Sequence, residues 1–242
     1  MNVAILGTGK VGSDLLDKVI KSKTLECVMF AGQRKDSPGI KRANKLGVPT
    51  STKSIQAILK SDAEIVFDAT TAKAHIQNAP LLKDRFVIDL TPSRVGKMCV
   101  PSINLDECLK ENNVNLVTCG AQAMCQIAKD IVEQTNTNYI EMVSTISSDS
   151  AGLGTRNNID EFTQTTAEAL EELSGVAKAK AIIILNPTDI EMRNTLTWQE
   201  NGERKSLTRT IETEGNLPGN LEIINRSAIT VAEAYENNRQ HA

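Results

Sequence analysis

The chain has 242 residues, 40% hydrophobic and 24% charged, which is enough for one large domain or two small ones around a sizeable core. Its formal net charge of −3 gives no electrostatic support for general binding to nucleic acid or to an anionic membrane. One Trp, two Tyr and four Phe are too few for a base-stacking platform, so the core must be aliphatic. No apolar run approaches the ~18–20 residues of a membrane span, and no basic leader precedes Val3, so a cytoplasmic protein is expected. Five cysteines without a Cys-x-x-Cys pair, beside two histidines, point to reduced thiols rather than a disulfide framework, and no metal site is expected.

In chain order, β-branched runs predict strands at Val3–Leu6, Glu26–Ala31, Glu64–Phe67, Phe86–Leu90 and Asn115–Thr118. Between them amphipathic stretches predict helices at Val11–Lys21, Gly39–Lys45, Ser54–Lys60 and Ala72–Leu82. This alternation implies a Rossmann-type, doubly wound parallel sheet with its ligand crevice at the carboxyl ends of the strands. After Cys119 the pattern changes. Helices are predicted at Ala123–Glu133 and Ile159–Leu173, and strands at Tyr139–Ile146 and Ala181–Leu185. A hairpin of Met192–Gln199 and Ser206–Glu212 turns at Asn201-Gly202, and a last helix covers Leu221–Tyr235. The expected domains are a dinucleotide-binding domain at 1–120, a smaller α+β substrate domain at 121–218, and a C-terminal helix at 219–242 that returns to the first.

Gly7-Thr8-Gly9-Lys10-Val11-Gly12 follows the first strand and opens a helix. Glycines in this spacing permit a tight turn, backbone approach to a pyrophosphate and close helix–strand packing, while the helix N-terminus attracts phosphate. At the end of the second strand, an acidic residue would hold the ribose hydroxyl of NAD. The chain has Gln33-Arg34-Lys35 there, a basic pair suited to the 2′-phosphate of NADP, so NAD or NADP is expected. A solvated basic turn is the competing explanation for Arg34.

Cys119-Gly120 follows a predicted strand and precedes a helix. The helix dipole there would depress the thiol pKa, and Gly120 would leave room for a substrate. A buried structural thiol is the alternative.

At these residues the chain resembles the acetylating (CoA-acylating) acetaldehyde dehydrogenases. The resemblance runs through Asp68-Ala-Thr-Thr-Ala-Lys-Ala-His75, Ile88-Asp-Leu-Thr-Pro92 and Asn113-Val-Asn-Leu-Val-Thr-Cys-Gly-Ala-Gln-Ala123. It continues in Ser150-Ala-Gly-Leu-Gly-Thr-Arg156, Asn158-Ile-Asp-Glu-Phe-Thr163, Lys180-Ala-Ile-Ile-Ile-Leu-Asn-Pro187 and Gly219-Asn-Leu-Glu-Ile-Ile224. It implies a glyceraldehyde-phosphate-dehydrogenase-like fold with Cys119 as the catalytic thiol. It implies cofactor contacts from Thr8, Gly9, Lys10 and Val11, from the segment Ser150, Ala151, Gly152, Leu153, Gly154, Thr155, Arg156, Asn157 and Asn158, and from Asn220 at the nicotinamide. CoA is the implied co-substrate, and an acyl thioester the implied product.

Three departures stand against that pattern. The family's Met-Arg-Asp-Thr is here Met192-Arg193-Asn194-Thr195, and an amide is no base; Asp189 is the nearest upstream replacement. The family's lysine before Ser-Ala-Gly is Asp149. Between about Glu200 and Leu217 a short polar hairpin replaces a longer piece of substrate domain. In the family that piece contributes to dimerisation and to docking a class II aldolase, so its loss argues against the aldolase partner and leaves a homodimer open. His75 and Cys125 read as structural residues, Asp68 and Asp89 as loop caps, and Arg156 as either a phosphate ligand or a helix start.

The leading expectation is therefore an oxidoreductase that interconverts a small aldehyde and acyl-CoA through a cysteine thioester. The alternative is a non-catalytic or weakly active nucleotide-binding relative, acting as a regulatory or assembly subunit. A semialdehyde dehydrogenase with phosphate as acceptor is a third reading.

Overall fold

The apolar runs of the N-terminal half form the strands of one parallel sheet in a computed structural model that describes residues 1–152, 155–156, 159–213 and 218–240. They are β1 (Asn2–Leu6), β2 (Glu26–Ala31), β3 (Thr50–Ser51), β4 (Ile65–Asp68), β5 (Phe86–Asp89), β6 (Lys97–Met98) and β7 (Asn113–Asn115). Strand order is β3-β2-β1-β4-β5-β7-β6, so the winding reverses between β1 and β4. Helices α1 (Lys10–Lys21), α2 (Pro38–Lys45), α3 (Ile55–Leu59), α4 (Ala72–Asn78) and α5 (Pro101–Cys108) make the crossovers. Val3 to Leu6, Ile65 to Phe67 and Ile88 are fully buried, as expected of a parallel sheet covered on both faces.

The second half holds α6 (Cys119–Thr135), β8 (Tyr139–Ser147), α7 (Ile159–Ser174), β9 (Lys178–Asn186), β10 (Met192–Glu200), β11 (Glu203–Ile211) and α8 (Gly219–Gln240). Its sheet runs β11-β10-β8-β9, antiparallel except between β8 and β9. Asn201 and Gly202, at φ +52° and +81°, close β10 onto β11 in a two-residue turn of the kind that matches strand twist. The chain divides into two units, 1–116 with 225–242 and 117–224, and α8 crosses from the second to the first. Within the first unit, the Tyr235 ring stacks on Phe86 at 3.9 Å. No helix among the described residues is long and apolar enough to cross a membrane.

The doubly wound sheet and smaller α+β sheet agree with the sequence expectation, and the boundaries differ where side chains intervene. The strand expected at Asn115–Thr118 ends at Asn115, because Val117 takes φ +62°, outside the extended region. The helix expected to run to Leu82 stops at Asn78, where Pro80, which has no amide hydrogen, turns the chain into a 3₁₀ segment, Ala79–Leu81. Helix α5 was not expected; Pro101 at its first turn is the usable signal, and Asn104 breaks it with φ −143°.

Candidate active site

Each unit carries part of the predicted site. In the first, Gly7 (φ +113°) lies in a conformation that L side chains rarely adopt, and a Cβ on it would stand 2.4 Å from the Ala69 carbonyl oxygen. A Cβ on Gly12 would lie 1.9 Å from the Gly7 carbonyl oxygen, which fixes how tightly α1 departs from β1. Gly9 is different: it is the N-cap of α1, and a Cβ there would meet nothing within 4 Å. The Gly9 cap gives that helix end no side-chain hydrogen bond. This cradle fits the diphosphate of a dinucleotide.

Thr8 is held from behind by Ser37, whose hydroxyl lies 3.0 Å from both the Thr8 carbonyl oxygen and Thr8 Oγ1. Sequence reading missed Ser37; Ser-Pro-Gly opening a helix is the signal that would have found it. Lys10 is exposed and Val11 half-buried, and the Val11 carbonyl accepts from Asn225 Nδ2 at 3.1 Å. Arg34 is exposed beyond β2, and its guanidinium is engaged by no group among the described residues.

Under the same end of the sheet sits a buried polar cluster. His75 Nδ1 is 3.0 Å from Asp68 Oδ2, and Nε2 is 3.5 Å from Asp89 Oδ2. Asp89 also accepts from Ser93 Oγ, from the Thr91 amide and from Asn115 Nδ2. Burial pushes the Asp89 carboxyl up to about 6, against the pull of His75. Burial would lower the His75 pKa, but its bond to Asp68 and the two carboxylate charges outweigh that and raise it.

In the second unit, Cys119 is the first residue of α6, 7% exposed. Thr118 caps the helix: its Oγ1 accepts from the Ala121 amide at 3.2 Å and lies 2.7 Å from Thr166 Oγ1. Thr166 donates to the Phe162 carbonyl, so Thr118 must donate to Thr166. Val117, a β-branched residue at φ +62°, strains the backbone two residues before the thiol.

Two expectations about this element need correction. Burial pushes the Cys119 thiol up to about 12; the amides of Gly120 and Cys119 itself pull it down, but by less than desolvation raises it. Gly120 serves packing rather than substrate access: a Cβ there would meet Met142 Cε at 2.6 Å and Ser144 Oγ at 2.8 Å on β8.

Ser150 and Ala151 are buried, the Ser150 hydroxyl donating to the Ser147 carbonyl at 2.7 Å. Arg156 is spent on its own loop, donating to the Ser148 and Ala151 carbonyls and to Ser148 Oγ. That engagement favours the local structural reading of Arg156 over phosphate binding. Gly152 is open on its Cβ side, and Thr155 is half-buried. Leu153, Gly154, Asn157 and Asn158 lie outside the described residues. Asn220 is buried in the first turn of α8, its carboxamide engaged by none of the described residues. Asn194 is fully buried on β10, whereas Asp189 is exposed in the turn after β9. No group of three His, Cys, Asp or Glu side chains among the described residues is arranged for a metal ion.

Comparison with known proteins agrees with this picture. Residues 119–216 match the family described as prokaryotic acetaldehyde dehydrogenase, dimerisation, and residues 2–93 match NADP oxidoreductase coenzyme F420-dependent. An acetaldehyde dehydrogenase of Chloroflexus aurantiacus is 50% identical over 202 residues, covering 81% of this chain and 66% of that one. One of Carboxydothermus hydrogenoformans is 47% identical, covering 88% and 73%. One of Brevibacillus brevis is 42% identical, covering 97% and 95%. That last alignment runs over 281 positions against a chain of 242 residues, so the relative carries residues with no counterpart here. Aspartate semialdehyde dehydrogenase II of Vibrio cholerae, solved with ASA, superposes with a TM-score of 0.68 at 13% identity over 96% of this chain and 97% of that one. GenD2 from gentamicin A biosynthesis, solved with NAD, gives 0.65 at 11% over 99% and 87%. The two structures establish the fold, and the sequence relatives place the chain in the acetaldehyde dehydrogenase family.

Proposed function

We propose that the chain is a nicotinamide-dependent acylating aldehyde dehydrogenase, interconverting a small aldehyde and acyl-CoA through a thioester on Cys119. The observation that carries this reading is Cys119 at the start of α6, behind a strained Val117 and a Thr118 cap, inside the segment matched to the family. Cofactor binding falls to 1–120 with the helix 219–242 and substrate handling to 121–218, with Cys119 at the boundary between them.

The glycine loop would hold the cofactor diphosphate at Gly9 and the α1 amides, and the exposed Arg34 after β2 would meet a 2′-phosphate, a reading that favours NADP over NAD. When bound, the nicotinamide takes up or gives back a hydride. The protein's own part is nucleophilic. Cys119 gives up its proton to solvent as Sγ bonds to the aldehyde carbon and the C=O π pair moves onto oxygen; loss of hydride, which a bound nicotinamide would accept, leaves the thioester. The CoA sulfur then bonds to the acyl carbon as its proton passes to solvent, and Cys119 leaves as the thiolate. The amides that pull the thiol pKa down also stabilise this leaving group. The family's described dimerisation segment supports a homodimer; the shortened substrate domain speaks against an aldolase partner.

NAD(P)H absorbance, followed with acetaldehyde, propanal and longer aldehydes, with and without CoA, tests the reading against Cys119→Ser. CoA-dependent turnover lost in Cys119→Ser is expected. The second reading, a weakly active assembly subunit, is favoured by the buried neutral thiol and by the amide at Asn194. No turnover with any aldehyde or acceptor, together with a Cys119 unreactive toward iodoacetamide, would sink the enzyme reading, and turnover only with phosphate would favour a phosphate-dependent enzyme.

A further inference from the structure

A single row of side chains crosses the small sheet beneath the first turn of α6. Ser144 on β8, Asn194 on β10 and Arg209 on β11 are directly paired in register. Both ends of the row touch the helix that begins with Cys119. Ser144 Oγ stands 2.8 Å from where a Cβ of Gly120 would lie, and Arg209 Nη1 donates to the Ala123 carbonyl at 2.9 Å. Asn194, between them, therefore lies under the turn that runs from Gly120 to Ala123.

Asn194 is fully buried, and its two polar atoms are treated unequally. Oδ1 accepts from the Ser144 hydroxyl at 2.7 Å; Nδ2 has no hydrogen-bond partner among the described residues. A buried carboxamide N–H without an acceptor is costly, on the order of 1–3 kcal/mol by general experience, and such orphans recur where a ligand completes the set. In this arrangement Oδ1 takes the Ser144 proton, and the N–H is left for another acceptor. The chemistry that would complete it is an acceptor oxygen arriving next to Cys119.

We propose that Asn194 Nδ2 is the hydrogen-bond donor for the acyl oxygen carried on Cys119, a catalytic residue of this chain that Ser144 positions. As Sγ bonds to the carbonyl carbon, the displaced π pair makes an oxyanion, and the preoriented N–H is matched to that charge. The inference rests on the reading of Cys119 as the acylated thiol.

The test needs no cofactor. The full chain is acylated with p-nitrophenyl acetate carrying ¹³C at its carbonyl: Cys119 Sγ bonds to that carbon, p-nitrophenolate leaves with the electron pair, and the thiol proton passes to buffer. The p-nitrophenolate burst counts acylated thiols, and the infrared band of the ¹³C=O reports the hydrogen bond. Wild type is expected to show a thioester band at lower wavenumber than Asn194→Leu, which is near-isosteric and has no donor. Asn194→Ala should move the band the same way, and Ser144→Ala should broaden it by freeing the amide. In aldehyde turnover Asn194→Leu should lose ~10²–10³-fold in kcat with KM unchanged, the usual effect of removing one oxyanion donor. Coincident bands in wild type and both Asn194 variants, each with a full burst, would overturn the assignment and leave Cys119 standing. No acylation of Cys119 at any pH up to 10, or a release of p-nitrophenolate that is undiminished in Cys119→Ser, would overturn the thioester reading and this inference with it.

Discussion

Iodoacetamide should alkylate Cys119 of the free protein slowly at neutral pH, with a rate that climbs through the whole accessible pH range. Burial holds its pKa at about 12. At pH 7.5 such a thiol is ionised to roughly 3 parts in 10⁵, against about 9% for an ordinary cysteine of pKa ~8.5, a deficit of ~3,000-fold. A more basic thiolate is the better nucleophile, and a Brønsted slope of ~0.4–0.5 over the 3.5-unit difference returns ~40-fold. The net expectation is alkylation about 10²-fold slower than a free cysteine peptide, rising about tenfold per pH unit from pH 6 to 10 because only the thiolate reacts. Peptide mass spectrometry at timed quenches, with the free peptide in the same tube, reads both quantities for Cys119 separately from the other four thiols. A plateau below pH 8 would show that the helix amides win over desolvation and would refute the argument. Acceleration on adding aldehyde substrate or dinucleotide would mean instead that the occupied site ionises the thiol.

Gly12→Ala places a Cβ 1.9 Å from the Gly7 carbonyl, a backbone atom that cannot swing aside, so the loop must open; weaker NADP binding by isothermal titration and a lower Tm are expected, and unchanged binding would refute the cradle. Asp89 titrates near 6 in the folded protein and near 4 when unfolded, so between those values the native state holds the proton more tightly and stability falls as pH rises, by on the order of 3 kcal/mol. His75, its pKa also raised, contributes stability lost in the same direction. Urea midpoints at pH 4 and 7 should therefore differ, and Asp89→Asn should flatten the difference; parallel profiles would contradict the assignment. Arg34→Ala should weaken NADP and leave NAD untouched in paired titrations, and an equal effect on both would reduce Arg34 to a solvated turn residue.

How far the sequence could be read depended on whether a residue's role is set by its neighbours in the chain or across space. The parallel sheet was legible because Val3–Leu6 and Phe86–Ile88 are continuous apolar runs, and the glycine loop because its spacing is local. The Asn201-Gly202 turn was legible for the same reason. Cys119 could be singled out from its position between elements, but its ionisation could not, since the burial that dominates comes from residues distant in sequence. Gly120 shows the same limit: only β8, with Met142 and Ser144, reveals that its missing Cβ admits a sheet. Ser37, Thr166 and Arg209 act through partners 29, 48 and 86 positions away, beyond any periodicity.

Asn194→Asp separates two accounts of position 194 by the sign of a pH profile. If the site calls for a base, the carboxylate works when ionised, and the rate should rise with pH. If the site calls for a donor, the protonated acid can replace the amide and the ionised form cannot, so the rate should fall as pH rises. The titration should lie above the ordinary carboxylate range. Position 194 is fully buried, its donor among the described residues is the Ser144 hydroxyl, and the paired Arg209, whose charge would offset part of the burial, is bonded to the Ala123 carbonyl; Asp89, with Ser93, Thr91, Asn115 and His75 around it, is still held near 6. The wild-type amide does not titrate and should show no such limb, so dividing the Asn194→Asp profile by the wild-type one isolates the group. A quotient that declines with pH supports the donor; one that climbs returns position 194 to the base.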